Sequence, residues 1–174
     1  LRAGMSVGVF GCGPIGLLIL QVARLSGAET PVVTDLLQHR LEAAHQLGAE
    51  HAILAAGGSE VAEVLAATAG DGVDVAFEVA GANEAVETAM AALKPGGCLI
   101  LAGIPADDRT SFSASLARRK GLTIKLVRRM KHTYPRAIRL VETGRVDVRS
   151  LVSHHFPLAQ AQEAFTVAQR REGL

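Results

Sequence analysis

The 174-residue sequence has only two cysteines, Cys12 and Cys98, and a formal net charge of just +1. Two cysteines cannot supply a four-ligand zinc site and exclude a disulfide scaffold; they suggest a reducing, cytoplasmic compartment. The near-zero charge argues against a dedicated nucleic-acid partner. An unbroken apolar run is also missing. Residues 7–25 are apolar, but Gly8, Gly11, Gly13, Pro14 and Gly16 fall before Leu17, so the stretch reads as strand, turn and helix, and no membrane span is expected. No repeat of solenoid period and no low-complexity tract occurs. What remains is 49% hydrophobic and 20% charged, enough chain and apolar surface for one domain or one domain with an appendage.

Strand-like and helix-like runs alternate from the start. Val7–Phe10 is a short apolar run, Pro14–Leu25 a helix stopped by Gly27, and Val32–Thr34 a second strand. Leu37, Leu41, Ala44 and Leu47 recur at helical spacing before Gly48, and Ala52–Leu54 is a weak third strand. Ser59 is read as the cap of a helix through Val61, Val64, Leu65 and Thr68; strand Val73–Phe77 follows. Asn83 is read as capping a helix with Val86, Ala89, Met90 and Leu93, which Pro95–Gly96–Gly97 ends before a fifth strand, Cys98–Ala102. Leu122–Val127 alternates like a half-buried strand. Strictly alternating strands and helices require crossovers between parallel neighbours. Residues 1–127 are therefore expected to form a doubly wound α/β domain of about six strands with helices on both faces, a Rossmann fold. The tail differs: Tyr134–Val141 and Leu158–Ala168 read as helices, each with a proline near its start.

Gly11-Cys12-Gly13-Pro14-Ile15-Gly16 is a G-x-G-x-x-G pattern between a predicted strand and a predicted helix, the context a dinucleotide loop needs. Gly11 permits the tight turn, Gly13 lets a pyrophosphate approach the backbone, and Gly16 lets helix and strand pack closely. The helix start offers unpaired N–H groups to phosphate. Pro14 has no N–H, so the amide of Ile15 is the expected contact. Asp35 lies 19 residues after Gly16, at the end of the second strand. A carboxylate there accepts hydrogen bonds from ribose hydroxyls and repels a 2′-phosphate, favouring NAD over NADP. Asp35 is also a plausible helix cap. Arg40 stands one turn into the next helix, placed to reach the ribose or to close on Asp35, or simply to remain a solvated charge. A glycine-rich turn without a ligand is the plain alternative for the whole loop.

The segments GCGPIG, VVTD, VDVAFEVAGANEAVETAMAALKPGGCLILAGIP, LTIKLVRRMKHTYPRAI and LVSHHFPLAQAQEAF, in this order, resemble the medium-chain, zinc-type alcohol dehydrogenases, most of all their polyol (sorbitol dehydrogenase) branch. They cover nearly the whole chain. The resemblance implies that Val79 and Ala80 lie near the nicotinamide ring. It implies that Ala102, Gly103 and Ile104 meet the carboxamide through backbone groups, and that Val127 and Arg129 complete that side. Arg128 would reach toward the substrate. Arg129 stands where that branch often has tyrosine, so the branch's substrate size and identity do not carry over to this sequence. An ordinary basic surface pair, with Arg118, Arg119, Lys120 and Lys131 nearby, is the other reading of Arg128–Arg129.

The resemblance also implies a catalytic zinc held in a separate N-terminal domain that this sequence does not contain. No metal ligands and no catalytic residue are expected here: Cys12 sits in the phosphate loop, Cys98 opens a strand, and His39 and His45, six apart, do not share a helix face. Residues 128–174 are expected to form a helical segment packing against that missing domain. The start at Leu1 and the stop at Leu174 are read as those of a piece of a longer or processed polypeptide. The whole protein would oxidise a secondary alcohol, a polyol or sugar alcohol, with zinc polarising the hydroxyl and hydride passing to NAD. This chain alone would bind NAD weakly and turn nothing over. The alternatives are a zinc-independent, quinone-reductase-like enzyme using NADP, and a nucleotide-sensing regulatory module. Leu122–Val127 should be a sheet edge, which in the resembling family pairs across a two-fold axis, implying a homo-oligomer; Lys125 reads equally as a charge that blunts the edge.

Overall fold

A computed structural model describes residues 1–130 and 132–174; Lys131, counted above in the basic stretch, lies outside the described residues. The helix–strand alternation runs β1 (Val7–Phe10), α1 (Pro14–Leu25), β2 (Pro31–Asp35), α2 (Gln38–Gln46), β3 (His51–Leu54), α3 (Glu60–Ala67), β4 (Val73–Glu78), α4 (Asn83–Ala92), β5 (Leu93–Leu101), α5 (Ala114–Lys120) and β6 (Thr123–Leu126). After β6 come α6 (Tyr134–Glu142), a 3₁₀ turn at Leu158–Gln160, and α7 (Ala161–Gln169).

The strands form one sheet in the order β3-β2-β1-β4-β5-β6, every neighbouring pair parallel. β1 and β2 are buried along their whole length, as central strands covered on both faces must be. Their side chains alternate between two cores. Val7, Val9 and Val33 pack with Leu17 and Leu20 of α1 and Leu41 and Ala44 of α2. Phe10 and Val32 pack on the other face with Val64 of α3 and Val86 and Met90 of α4. The period-2 alternation thus places helices on both faces, and the chain reverses its direction of winding between β1 and β4. That reversal opens a crevice at the carboxyl ends of these two strands.

Three local expectations change. β5 begins at Leu93, not Cys98, because Lys94–Gly97 is drawn into the sheet as an irregular stretch: pairing jumps from Val73↔Leu93 to Val75↔Cys98. Gly96 takes φ +77° there, and the Lys94 ammonium pairs with Asp74 at 2.5 Å. Asn83 is not the cap of α4. Ala82 holds that position, and the Asn83 Oδ1 accepts from the Ser111 N–H at 3.0 Å. Ser59 does cap α3 by position, but its hydroxyl donates to Glu63 Oε1 at 2.6 Å rather than serving the helix backbone. The other end of α4 is closed by Lys120, whose ammonium donates to the carbonyls of Ala91 and Leu93 at 2.6 and 2.5 Å, a cation set on the negative end of a helix. Its partial burial lowers the ammonium's pKa.

The segment after β6 is anchored to the α1 and α2 side of the sheet. The Gln21 side chain donates to Asp147 O at 2.9 Å and accepts from Asp147 N at 2.7 Å. Val146 is buried, and Leu151 and Leu174 pack against the α1–α2 core. The helices themselves keep apolar side chains in the open. On α6, Tyr134, Ile138 and Val141 fall on one face at helical spacing and all are exposed; so are Leu158 and Phe165 around α7. Among the described residues, no helix is long and apolar enough to cross a membrane.

Candidate functional site

The crevice at the β1–β4 reversal is a cavity of about 570 Å³. Its floor is Phe10, Gly11 and Gly13 after β1, its flanks Thr34, Asp35 and Leu36 after β2 and Val79 and Ala80 after β4. Arg40 of α2, Glu60 of α3, Glu84 and Thr88 of α4, and Arg171 from beyond α7 complete the wall.

The three loop glycines have different reasons to be glycine. Gly11 holds φ +111°, and a Cβ on it would come within 2.9 Å of the Ala80 N. A Cβ on Gly16 would lie 1.9 Å from the Gly11 carbonyl oxygen. Both are demanded by the fold itself. Gly13 is not: it opens α1 with φ −66° and ψ −179°, extended backbone open to any residue, and a Cβ there would meet only Arg40 Nη1, at 3.8 Å. The space above Gly13 belongs to the cavity, where a side chain would fill the approach to the helix start. Pro14 takes the first helical position and Ile15 is 59% exposed beside it.

Asp35 is almost fully buried. One carboxylate oxygen accepts from the Cys12 N–H at 2.7 Å, the other from the Leu37 N–H at 2.9 Å. It therefore ties the glycine loop to the start of α2, where Leu37 and not Asp35 is the cap. Each oxygen keeps further acceptor capacity toward the cavity. The Cys12 thiol beneath is pushed up to about 12, by burial first and then by the Asp35 carboxylate, with Arg40 pulling the other way. Arg40 does not close on Asp35. Its Nε and Nη2 donate to the Gly173 carbonyl at 3.4 and 3.2 Å, and His39 Nε2 lies 3.3 Å from the same oxygen.

The remaining expected contacts are placed one strand or more away. Ala102 and Gly103 follow β5 and are tied by their N–H groups to the Glu78 carbonyl, each at 2.9 Å; Ile104 is 74% exposed beyond them. Val127 follows β6 and donates to Leu101 O at 3.0 Å. Arg128 lines a separate, open cavity of about 660 Å³ with Met130, His132, Tyr134 and Pro135, while Arg129 is exposed and lines neither. So Gly11, Gly13, Asp35, Arg40, Val79 and Ala80 meet in one cleft. Ala102, Gly103, Ile104, Val127 and the arginine pair stand along the same edge of the sheet, outside it.

Sequence reading passed over two residues. Glu78 ends β4 and is 2% exposed; its Oε1 accepts from the Gly81 N–H at 2.6 Å. With its carbonyl holding Ala102 and Gly103, it binds the turns after β4 and β5 to each other. The signal was present as an acid closing a strand directly after the apolar run Val75–Phe77. The other is Arg171, which nothing in its local sequence connects to a cleft whose other lining residues end at Thr88. Among the described residues, no group of three or more His, Cys, Asp or Glu side chains is arranged to hold a metal ion.

Comparison with known proteins places the chain. It is 35% identical to the sorbitol dehydrogenase of Bacillus subtilis over 164 residues, 94% of this chain and 46% of that protein. It superposes on alcohol dehydrogenase TADH from Thermus sp. ATN1 with a TM-score of 0.91 and 32% identity, covering 99% of this chain and 50% of the other. A zinc-binding dehydrogenase from Sinorhizobium meliloti, described as bound to NADP, shares the fold with a TM-score of 0.85 and 28% identity, over 95% of this chain and 49% of its own. The chain thus spans about half the length of the curated relatives it matches. Residues 14–143 match the family described as zinc-binding dehydrogenase, and the chain belongs to that family.

Proposed function

We propose that this chain is the NAD-binding domain of an oxidoreductase that moves hydride between NAD and a secondary alcohol, with a polyol or sugar alcohol as substrate. The observation that carries the reading is the void above Gly13 beside the buried Asp35, at the point where the sheet reverses. The diphosphate fits over Gly13 at the start of α1, where backbone N–H groups are unpaired. The ribose hydroxyls of the adenosine half face Asp35. NAD, when bound, supplies the nicotinamide that takes up hydride. Val79 and Ala80 orient that ring from the end of β4, and the backbone of Ala102, Gly103 and Ile104, with Val127 and Arg129, borders its carboxamide. Arg128 faces the substrate side. Among the described residues no three His, Cys, Asp or Glu side chains are gathered to hold a metal ion, and this reading assigns the zinc ligands to a companion domain outside this chain.

Residues 1–127 are the dinucleotide domain in this reading. Residues 128–174 are docked on α1 and α2 at one end and present the apolar faces of α6 and α7 to a companion catalytic domain. The exposed edge of β6, with Leu126 83% exposed, suits pairing with a second copy across a two-fold axis. Two free cysteines fit a reducing, cytoplasmic setting. NADP is the second reading of the cofactor, favoured by the NADP-bound relative; the buried carboxylate of Asp35 opposes it.

Titration of the chain with NADH, followed by the fluorescence of the bound nicotinamide and by calorimetry, tests the proposal. Saturable NADH binding, competed by ADP-ribose and at least tenfold tighter than NADPH binding, supports it. Tighter binding of NADPH overturns the cofactor assignment, and no binding of either overturns the domain's role.

A further inference from the structure

Resting on the dinucleotide reading, we propose that Arg171 is a phosphate-binding residue of the cleft, delivered by the segment after α7 and taking the diphosphate of the adenine dinucleotide. The charged residues around the cavity are Asp35, Glu60, Glu84, Arg40 and Arg171, so two cations stand against three carboxylates. A diphosphate brings two more negative charges into that wall and requires a cation to offset them. Arg40 is already committed: its guanidinium is turned to the Gly173 carbonyl. Among the described residues, no hydrogen bond or ion pair engages the Arg171 guanidinium.

The backbone at Arg171 is set against its side chain. The residue follows the cap of α7 and holds φ +56°, the left-handed conformation in which glycine is the favoured residue. The bonds from its N–H to Ala168 O and from the Glu172 N–H to Val167 O close the helix and require no side chain at that position. Two residues on, His39 and Arg40 hold the Gly173 carbonyl, which pins this turn to α2 at the rim of the cleft. Arg171 also borders the adjoining cavity of about 370 Å³ behind Arg40, so it stands on the wall between the two spaces. An arginine thus occupies a position that conformation favours for glycine, and it lines the cleft where phosphate is expected.

The two demands on position 171 have opposite signs, which makes the test specific. In the 174-residue chain, Arg171→Gly is expected to weaken NADH and ADP binding roughly three- to tenfold, with adenosine binding unchanged. The same substitution is expected to leave the melting temperature level or raise it by roughly 2–4 °C, through relief of the left-handed backbone. Arg171→Lys should restore part of the lost ADP affinity. A role confined to holding the turn predicts the reverse: a lower melting temperature, with adenosine weakened along with ADP. That pattern, or NADH and ADP affinities within twofold of the native chain, overturns the proposal. Loss of NADPH affinity alone overturns the diphosphate assignment by pointing to a 2′-phosphate. A native chain that binds no dinucleotide refutes the underlying reading instead, and the two failures are told apart by the wild-type titration.

Discussion

The glycine loop yields a paired prediction, since two of its glycines face opposite tests. In Gly16→Ala the new methyl is placed 1.9 Å from the Gly11 carbonyl oxygen, and Val9 is only 3.4 Å away on the other side. Restoring an ordinary separation moves α1 off β1 by more than an ångström, and the fully buried Leu17 and Leu20 move with it. Overpacking of this kind costs about 3 kcal/mol. At roughly 2–4 °C per kcal/mol for a chain of this size, the melting temperature should fall by about 6–12 °C. In Gly13→Ala the methyl meets nothing closer than 3.8 Å, on a backbone that any residue adopts. Stability should hold or rise by about 0.4–1 kcal/mol, because the unfolded chain loses freedom. The methyl nevertheless fills the diphosphate's approach, so NADH affinity should fall at least tenfold, about 1.4 kcal/mol. Thermal melts and NADH titrations of the two variants, side by side, provide the check. Native NADH affinity in Gly13→Ala would refute the placement of the diphosphate; a native melting temperature in Gly16→Ala would refute the packing of α1 on β1.

Glu78→Ala leaves the Gly81 N–H without its partner in a half-buried turn and should cost about 1–3 kcal/mol, read by urea denaturation, whereas Glu78→Gln keeps an acceptor and should lose less. Asp74 titrates low in the folded chain: burial raises it, but Lys94 and Ser6 outweigh that and pull it below the usual carboxylate value. A depressed folded value means its contribution to stability is fully present above the ordinary carboxylate range and is lost as pH falls through the folded value. The melting temperature of Asp74→Asn should therefore lie below that of the native chain at pH 7, and the gap should close toward pH 3. The Cys12 thiol, pushed up to about 12 in its buried setting, should resist iodoacetamide at pH 8 while the native fold persists and react once urea unfolds it. Rapid alkylation of native Cys12, located by peptide mapping, would show that the loop opens.

Much of the site was written locally. A glycine loop, a helix start and an acid at the end of the next strand form a pattern within 25 residues, and each constraint is short-range: a tight turn, a close packing contact, a carboxylate at a strand terminus. The alternation of strand and helix likewise follows from hydrophobic period, so the parallel sheet and its two covered faces were legible in the sequence. The start of β5 was not, because Pro95, Gly96 and Gly97 carry every mark of a turn. Only the Asp74–Lys94 ion pair and the neighbouring β4 draw them into the sheet.

By itself, the sequence determined which residues can bend the chain or open a crevice, since those properties reside in each residue and its near neighbours. The tertiary structure alone decided how they are shared out. Arg40 finds its partner 133 residues away at Gly173 instead of at Asp35, Glu78 joins the turns of two strands, and Arg171 arrives at the cleft from beyond the last helix. These are contacts between segments with no local relation, made only when burial of the two cores brings the sheet, its helices and the returning tail into one packed body.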